Sequence, residues 1–584
     1  MSDSIEKKES SSPHQQRQSV DHGEIINTIL SNRLTQQPTN VRNLDAIAMS
    51  NGAATNEKEA ARLLQEAQAN LEFSTDTGYA PELRRNFSLI SLLGVGFGIT
   101  NSWFGISGSL IAGINSGGPM MIIYGIIIVA STAMCIAVTL SELASAYPNA
   151  SGQIYWTMKL APHRYSRVLA YTTGILSWVG SVFTSASVTI TIATAITGMY
   201  ALFHPETTVQ RWQVFIVYEV FNILMAFCNI YEGPLPAICS GTLYISLASF
   251  IIIIITVLAM YKGEFATAKF VFVEFNNGTG WNSAGIAFIV GLINPNWSFS
   301  CLDAATHIAE ESLNPAVQIP QAIIGTVIVG FITAFSYCIA IFFCIRNLDD
   351  ILSSNTGVPI MDIFHQATES KAAALGLEIL ILLTAIGCNI GCHTWQARIC
   401  WSFSRDNGLP LSKYWAKINP NTGTMVNAHI MSCFWVAVIG CIYLGSSTAF
   451  NSILVSCVVF LLLSYMIPTV CLIFKRNEIK HGPFWLNRFG IGLICNVVLV
   501  AWAIFATVFY NFPSVMPVTG GNMNYSSAVF GVVFIICFCD WMIRGRKEYV
   551  DIEEREQHKD DLVYELSNQV SNIEVMMSHQ HDKS

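Results

Sequence analysis

The sequence predicts an all-α polytopic membrane protein with about twelve transmembrane helices, a five-plus-five inverted-repeat fold and discontinuous helices 1 and 6. Three observations carry that prediction. Only 12% of the 584 residues are charged while 52% are hydrophobic, too little polar surface to cover a soluble body of this length. Apolar runs of roughly 18 residues or more recur along the chain, each long enough to cross ~30 Å of hydrocarbon. Two of those runs, in corresponding positions, carry the same kind of interruption.

Residues 1–85 are polar and rich in Ser, Gln, Asn and Glu, the composition of a disordered tail. Asn56–Phe73 has helical composition and reads as a transient amphipathic helix within it. The opening stretch lacks the apolar core of a signal peptide, so the first apolar run is expected to start insertion. Six runs follow at about 88–114, 120–145, 166–200, 212–230, 237–260 and 284–308. Six more lie at about 321–345, 374–400, 428–444, 450–474, 485–509 and 526–543. The transporter domain is therefore expected over 86–544, with a second polar tail over 545–584.

Lys and Arg favour one side. With the N-terminus inside, the inner loops and flanks hold Arg84, Arg85, Lys159, Arg164, Arg167, Arg405, Lys413, Lys417, Lys475, Arg476, Lys480, Arg544, Arg546 and Lys547. The outer loops hold only Arg211, Lys262, Lys269, Arg346 and Lys371. The bias predicts that both termini are cytoplasmic, and it leaves the sequon Asn277-Gly278-Thr279 outside.

The first run contains "GVGFGITNSWFGIS" and the sixth "VGLINPNWSFSCLDAATH". Glycines weaken a helix and proline removes a hydrogen bond from it. The first run is therefore expected to break near Gly94, Gly96 and Gly98, and the sixth at Gly291 and Pro295. Unwound backbone at membrane depth is tolerated only inside protein or against a water-filled cavity. Paired breaks point to a transporter whose substrate lies between them. The rival reading is that the glycines only let helices pack closely.

Asn101, Ser102, Trp103 and Phe104 follow one break; Asn296, Trp297, Ser298 and Phe299 follow the other. Tryptophan faces hold cations well, and a quaternary ammonium, having no hydrogen to donate, suits an aromatic cage. Ordinary core packing accounts for the same rings equally well. The candidate binding set is Gly98, Asn101, Ser102, Trp103, Phe104, Asn296, Trp297 and Phe299. Glu142, Asp303 and His307 are the gating or coupling candidates, since a carboxylate within a span needs a reason. Asp303 could attract a cation or carry a proton, or it could brace a helix near the gate. Glu219 and Glu378 lie near span ends and read as solvated.

No catalytic or cofactor motif competes. Gly94, Gly96 and Gly98 lack the strand-turn-helix setting of a dinucleotide loop, and neither a Walker motif nor a nucleophile elbow is present. The 16 cysteines show no paired metal or redox spacing, and no basic stripe suggests nucleic acid. The reading is thus not an enzyme, with no cofactor and no metal, in a lipid bilayer.

"SELASAYPNASGQIYW", "SFSCLDAATHIAEE" and "FSRDNGLPLS" resemble segments of the amino acid–polyamine–organocation permeases, over about 85–545. "SGGPMMIIYGIIIVA" and "CHTWQARICWSFSRDNGLP" narrow the resemblance to fungal choline permeases. It implies plasma-membrane import of choline and ethanolamine, with tails met by regulatory kinases and ubiquitination machinery. Some proton-coupled relatives carry a lysine in the fifth span; "GTLYISLASFIIIIITVLAM" has none, which suits a cationic substrate and leaves coupling open. The membrane potential alone supplies ~2.3 kcal/mol per charge per 100 mV, roughly fifty-fold accumulation. The alternatives are a permease for GABA or another amino acid, and a nutrient sensor that scarcely transports.

Overall fold

The computed structural model describes residues 85–550 apart from 232, 488 and 489, with a few residues of 64–83 and 563–571. Most of both tails, and most of the helix read at Asn56–Phe73, lie outside the described residues. Among the described residues, eleven helices are long and apolar enough to cross a membrane. They are span 1 (Leu89–Gly108), span 2 (Gly118–Ala146), span 3 (His163–Phe203), span 4 (Arg211–Cys228) and span 5 (Leu235–Met260). Span 7 (Pro315–Phe342), span 8 (Lys371–Arg405), span 9 (Val426–Gly445), span 10 (Ser447–Lys475), span 11 (Ile491–Phe509) and span 12 (Ser526–Glu548) follow. Span 6 is too interrupted to qualify: it consists of Ala284–Gly291, Ile293–Ser298 and, after an irregular stretch, a 3-10 turn over Thr306–Glu311.

Span pairing carries the inverted repeat. Extensive contacts join spans 2 and 7, 3 and 8, and 4 and 9, each pair mapping onto itself when five is added. The contacts of 3 with 10 likewise map onto those of 8 with 5. A pseudo-two-fold axis in the membrane plane produces this pattern. Spans 11 and 12 lie outside it, and span 11 packs on spans 2 and 10.

The breaks do not fall where the glycines do. Span 1 is helical through Gly94, Gly96 and Gly98 and breaks at Asn101, whose φ of 32° and ψ of 65° are left-handed. Asparagine tolerates that region better than most residues. The glycines serve contact instead. A Cβ on Gly94 would lie 2.5 Å from the Cys239 carbonyl oxygen, and one on Gly96 2.6 Å from Thr326 Oγ1. Close helix approach, the rival reading, accounts for both.

In span 6, Gly291 ends the first helical piece but Pro295 sits inside the second. The irregular stretch is 299–305, containing the left-handed Cys301 at φ 64°. It therefore follows Trp297 rather than preceding it. Glu378 is another correction. Only 1% exposed, it lies in the second turn of span 8, a helix that packs against the short helix Pro359–Thr368. Glu219 is half-buried, with Oε1 enclosed. A short amphipathic helix between spans is what a span-by-span hydropathy reading misses, because it is neither long nor uniformly apolar.

Candidate functional site

The two breaks meet. Thr100 Oγ1 donates to the Ser300 carbonyl across them at 2.9 Å, and Gly105 lets the second half of span 1 touch span 6, since a Cβ there would fall 2.8 Å from Ser298 Cα. Between them lies a cavity lined by Ile99, Thr100, Phe104, Thr184, Trp297 and Cys388, among others. It measures about 10 Å³, room for about one water. A second space of similar size lies toward spans 2 and 10, lined by Asn296, Phe299 and Tyr465. Neither lining includes a charged side chain. In this conformation the site is closed, and any organic substrate requires the half-helices to separate.

The sequence-selected residues separate into groups. Phe104 and Trp297 face each other edge-on with ring centroids 6.3 Å apart and both line the first cavity. Trp297 Nε1 donates to Ser187 Oγ of span 3 at 3.2 Å, which fixes the ring. Trp103 points elsewhere. Fully buried, it donates to Ser246 Oγ of span 5 at 3.0 Å and packs against Tyr337 and Phe250. Ser246 in turn donates to Asn101 Oδ1 at 3.1 Å, so the break residue and Trp103 share one hydroxyl.

Asn101 Nδ2 and Ser102 Oγ are buried without partners. Ser102 Oγ sits in the space that a side chain on Gly330 would fill, 2.4 Å from an added Cβ. Asn296 accepts a long hydrogen bond from Trp502 Nε1 at 3.4 Å and borders the second cavity with Phe299. Gly98 faces the Thr242 methyl with ordinary spacing. Thr184, Cys388 and Cys457 complete the first lining; small residues in unbroken helices give no local signal.

Asp303 is fully buried and heavily engaged. Its Oδ1 accepts from Tyr465 OH at 2.5 Å, and its Oδ2 accepts from Gln153 Nε2 at 2.8 Å while lying 3.0 Å from His307 Nε2. His307 Nδ1 lies 2.7 Å from the Ala150 carbonyl. A carbonyl only accepts, so Nδ1 carries hydrogen. The Nε2 to Oδ2 contact then needs a further proton, either on the imidazole or on the carboxyl. Gly152 at φ 51° makes room for the ring, since a Cβ there would come within 3.1 Å of Cε1.

Glu142, by contrast, forms a two-pronged ion pair with Arg476, both contacts 2.7 Å, and accepts from the Leu486 amide at 2.9 Å. It ties the end of span 2 to the end of span 10.

The sequence reading missed a second layer at that end of the molecule. Arg398 grips Glu311 at 2.6 and 2.8 Å, and Arg405 grips Glu310 at 2.8 and 3.1 Å. The Phe87 amide donates to the Glu311 carbonyl at 3.0 Å, and Arg85 donates to the Ser312 carbonyl at 2.6 Å. The chain entering span 1, the chain leaving span 6 and the end of span 8 are thereby clamped together. The signal for this layer was present in "AEE" and in the arginines of span 8, but only the fold brings them into contact.

A family model described as amino acid permease matches residues 87–535. A choline transporter of Saccharomyces cerevisiae is 55% identical over 492 residues, 84% of this chain and 86% of that protein. A 7-keto 8-aminopelargonic acid transporter of the same yeast is 35% identical, covering 77% of this chain and 91% of its own length. A swainsonine transporter of Arthroderma benhamiae is 35% identical, covering 81% and 93%.

Proposed function

The chain belongs to the amino acid permease family, and on that premise we propose that it imports choline, with ethanolamine, across the plasma membrane by alternating access. Both tails face the cytoplasm, in keeping with the Lys and Arg bias. The observation that carries the reading is the lining of the first cavity. Two aromatic rings, freed backbone and small hydroxyl and thiol groups converge there without one charged side chain.

That chemistry suits an onium cation. The Trp297 and Phe104 rings border the cavity and supply π-electron density for a cation, and carbonyls released at the breaks offer partial negative charge. Asn101, Ser102 and Asn296 each hold a buried polar atom without a partner, so a substrate hydroxyl has groups to meet as the half-helices part. Trp103 acts from behind, holding Asn101 through Ser246. Gly98 and Phe299 border the path rather than grip the cation. Identity of 55% with a choline transporter supports the same substrate class.

Asp303 and His307 are the proton-coupling candidates, because their contact holds a proton that either partner can carry. Glu142 is a structural tie at the gate, not a carrier. The tails are the expected targets of kinases and ubiquitination machinery.

The test is uptake of labelled choline in yeast cells lacking their own choline permease, with and without a protonophore, and with ethanolamine and GABA as competitors. Saturable uptake blocked by ethanolamine and indifferent to GABA is the expected result. Surface expression without choline uptake would overturn the proposal and favour the amino acid or sensor readings.

A further inference from the structure

Away from the transport path, spans 4, 8 and 9 enclose three metal-type donors. His393 belongs to span 8, while His429 and Cys433 lie one turn apart on span 9. All three are buried, at 0%, 2% and 7% exposure. His393 Nδ1 lies 3.3 Å from Cys433 Sγ, and both ring nitrogens of His429 lie 3.7 Å from the same sulfur. A sulfur and a nitrogen on one ion, at ~2.3 Å and ~2.0 Å from it, stand roughly 3.5–3.7 Å apart at tetrahedral to trigonal angles. The sulfur–nitrogen separations are within about 0.3 Å of that, and all three donors lie within 4.8 Å of one another. Seating the ion turns the His429 ring, whose two nitrogens now stand equally far from the sulfur.

The surroundings are those of a ligand set. His429 Nε2 lies 3.1 Å from the Ala226 carbonyl of span 4, so it carries the hydrogen and leaves Nδ1 unprotonated, free to accept a ligand bond. Metal-bound imidazoles are oriented in this way by a backbone carbonyl on the other nitrogen. Gln396 Nε2 lies 3.1 Å from His393 Nδ1, while its Oε1 is buried with no partner, as is His393 Nε2. Turning that amide over presents its idle oxygen to the cluster. Gln396 Oε1 is thus a buried acceptor without a protein partner, which an ion could engage, whereas His393 Nε2 is unpartnered with or without the ion.

Charge selects the ion. Thiolate and imidazole together favour Cu⁺ or Zn²⁺. No carboxylate belongs to the cluster, and the nearby charge is Arg398, itself committed to Glu311. A Zn²⁺ with one thiolate would leave a net positive charge in a dry interior. A Cu⁺ with one thiolate is neutral.

We propose that His393, His429 and Cys433 bind a single Cu⁺ ion that braces spans 8 and 9 against each other. Binding expels the thiol proton to solvent and transfers no electron. The three residues come from two helices, 40 positions apart at the His393–Cys433 contact, which is why no sequence spacing announces them.

The test is metal analysis of the full-length protein purified in detergent from copper-supplied cells. About one copper per chain is expected, unchanged in Cys441→Ser, whose cysteine is exposed on the same span. Cys433→Ser should lose at least about ten-fold, while still taking up choline as evidence of folding. Should that variant fail to fold, His393→Gln carries the same expectation. Copper absent from the wild type, or equally present in Cys433→Ser and His393→Gln, overturns the site. One equivalent of zinc in place of copper overturns the charge argument and with it the proposal.

Discussion

Replacing Arg398 with alanine should open the molecule on the Glu311 side. The pair is two-pronged at 2.6 and 2.8 Å, with only 3% and 1% of the two side chains exposed. Removing one partner of such a pair leaves a buried charge uncompensated, at about 3–5 kcal/mol. That penalty falls on the closed conformation alone, because opening returns Glu311 to water. A shift of 3 kcal/mol moves the closed-to-open ratio by roughly a hundred-fold.

Cys301 reports the change. It lies in the irregular stretch of span 6, 3% exposed, and lines both small cavities. In a chain keeping only that cysteine, Arg398→Ala should raise the rate of alkylation by roughly a hundred-fold. The double variant Arg398→Met, Glu311→Leu removes the orphaned charge and fills the space with apolar atoms, so it should label nearly as slowly as the parent. Two results would refute the reasoning: equal labelling of Arg398→Ala and parent, or a double variant as fast as the single.

Trp297→Leu should raise the apparent KM for choline by roughly 2- to 30-fold, the worth of a cation–π contact, with surface expression unchanged on immunoblots of the plasma-membrane fraction. Trp103→Phe, which loses the hydrogen bond to Ser246 and leaves a smaller ring in a fully buried place, should cost more than about 1 kcal/mol of stability and move KM less than Trp297→Leu does, measured by melting and uptake on the same preparations. His307→Gln should leave uptake insensitive to collapse of the proton gradient at a clamped potassium diffusion potential, whereas uptake by the parent falls. Tyr549→Ala should lower the melting temperature, since Tyr549 is 1% exposed against Tyr171 and Phe403 and large aromatic truncations cost about 3–5 kcal/mol; its KM should not change.

The span count was legible because hydrophobic length is a property each segment carries by itself. The breaks were legible only in outline. Gly94 and Gly96 signalled an unusual helix, yet their purpose is to admit the Cys239 carbonyl and Thr326, contacts that exist only once spans 5 and 7 are in place. The actual break in span 1 rests on one asparagine, which could as well have been read as a polar group in a helix. Glu378 was read as solvated because its distance from the span end was visible and the short helix Pro359–Thr368 was not.

The same limit explains why the two tryptophans read alike and are housed differently. "NSWF" and "NWSF" have one composition, but the order differs by one place, and one place on a helix is about 100° of rotation. Span 1 breaks before its tryptophan, which therefore lies on the second half-helix and turns toward spans 5 and 7. Span 6 unwinds after its tryptophan, which therefore stays on the first pieces and turns toward span 3 and the cavity. An inverted repeat places the two breaks face to face but reverses the chain direction through them. Residues at equal register would stand symmetrically about the pseudo-two-fold axis, but the two tryptophans differ in register and lie on opposite sides of their breaks. The asymmetry of the site thus comes from that difference in register, and it makes Trp297, rather than Trp103, the ring whose loss should register first in substrate affinity.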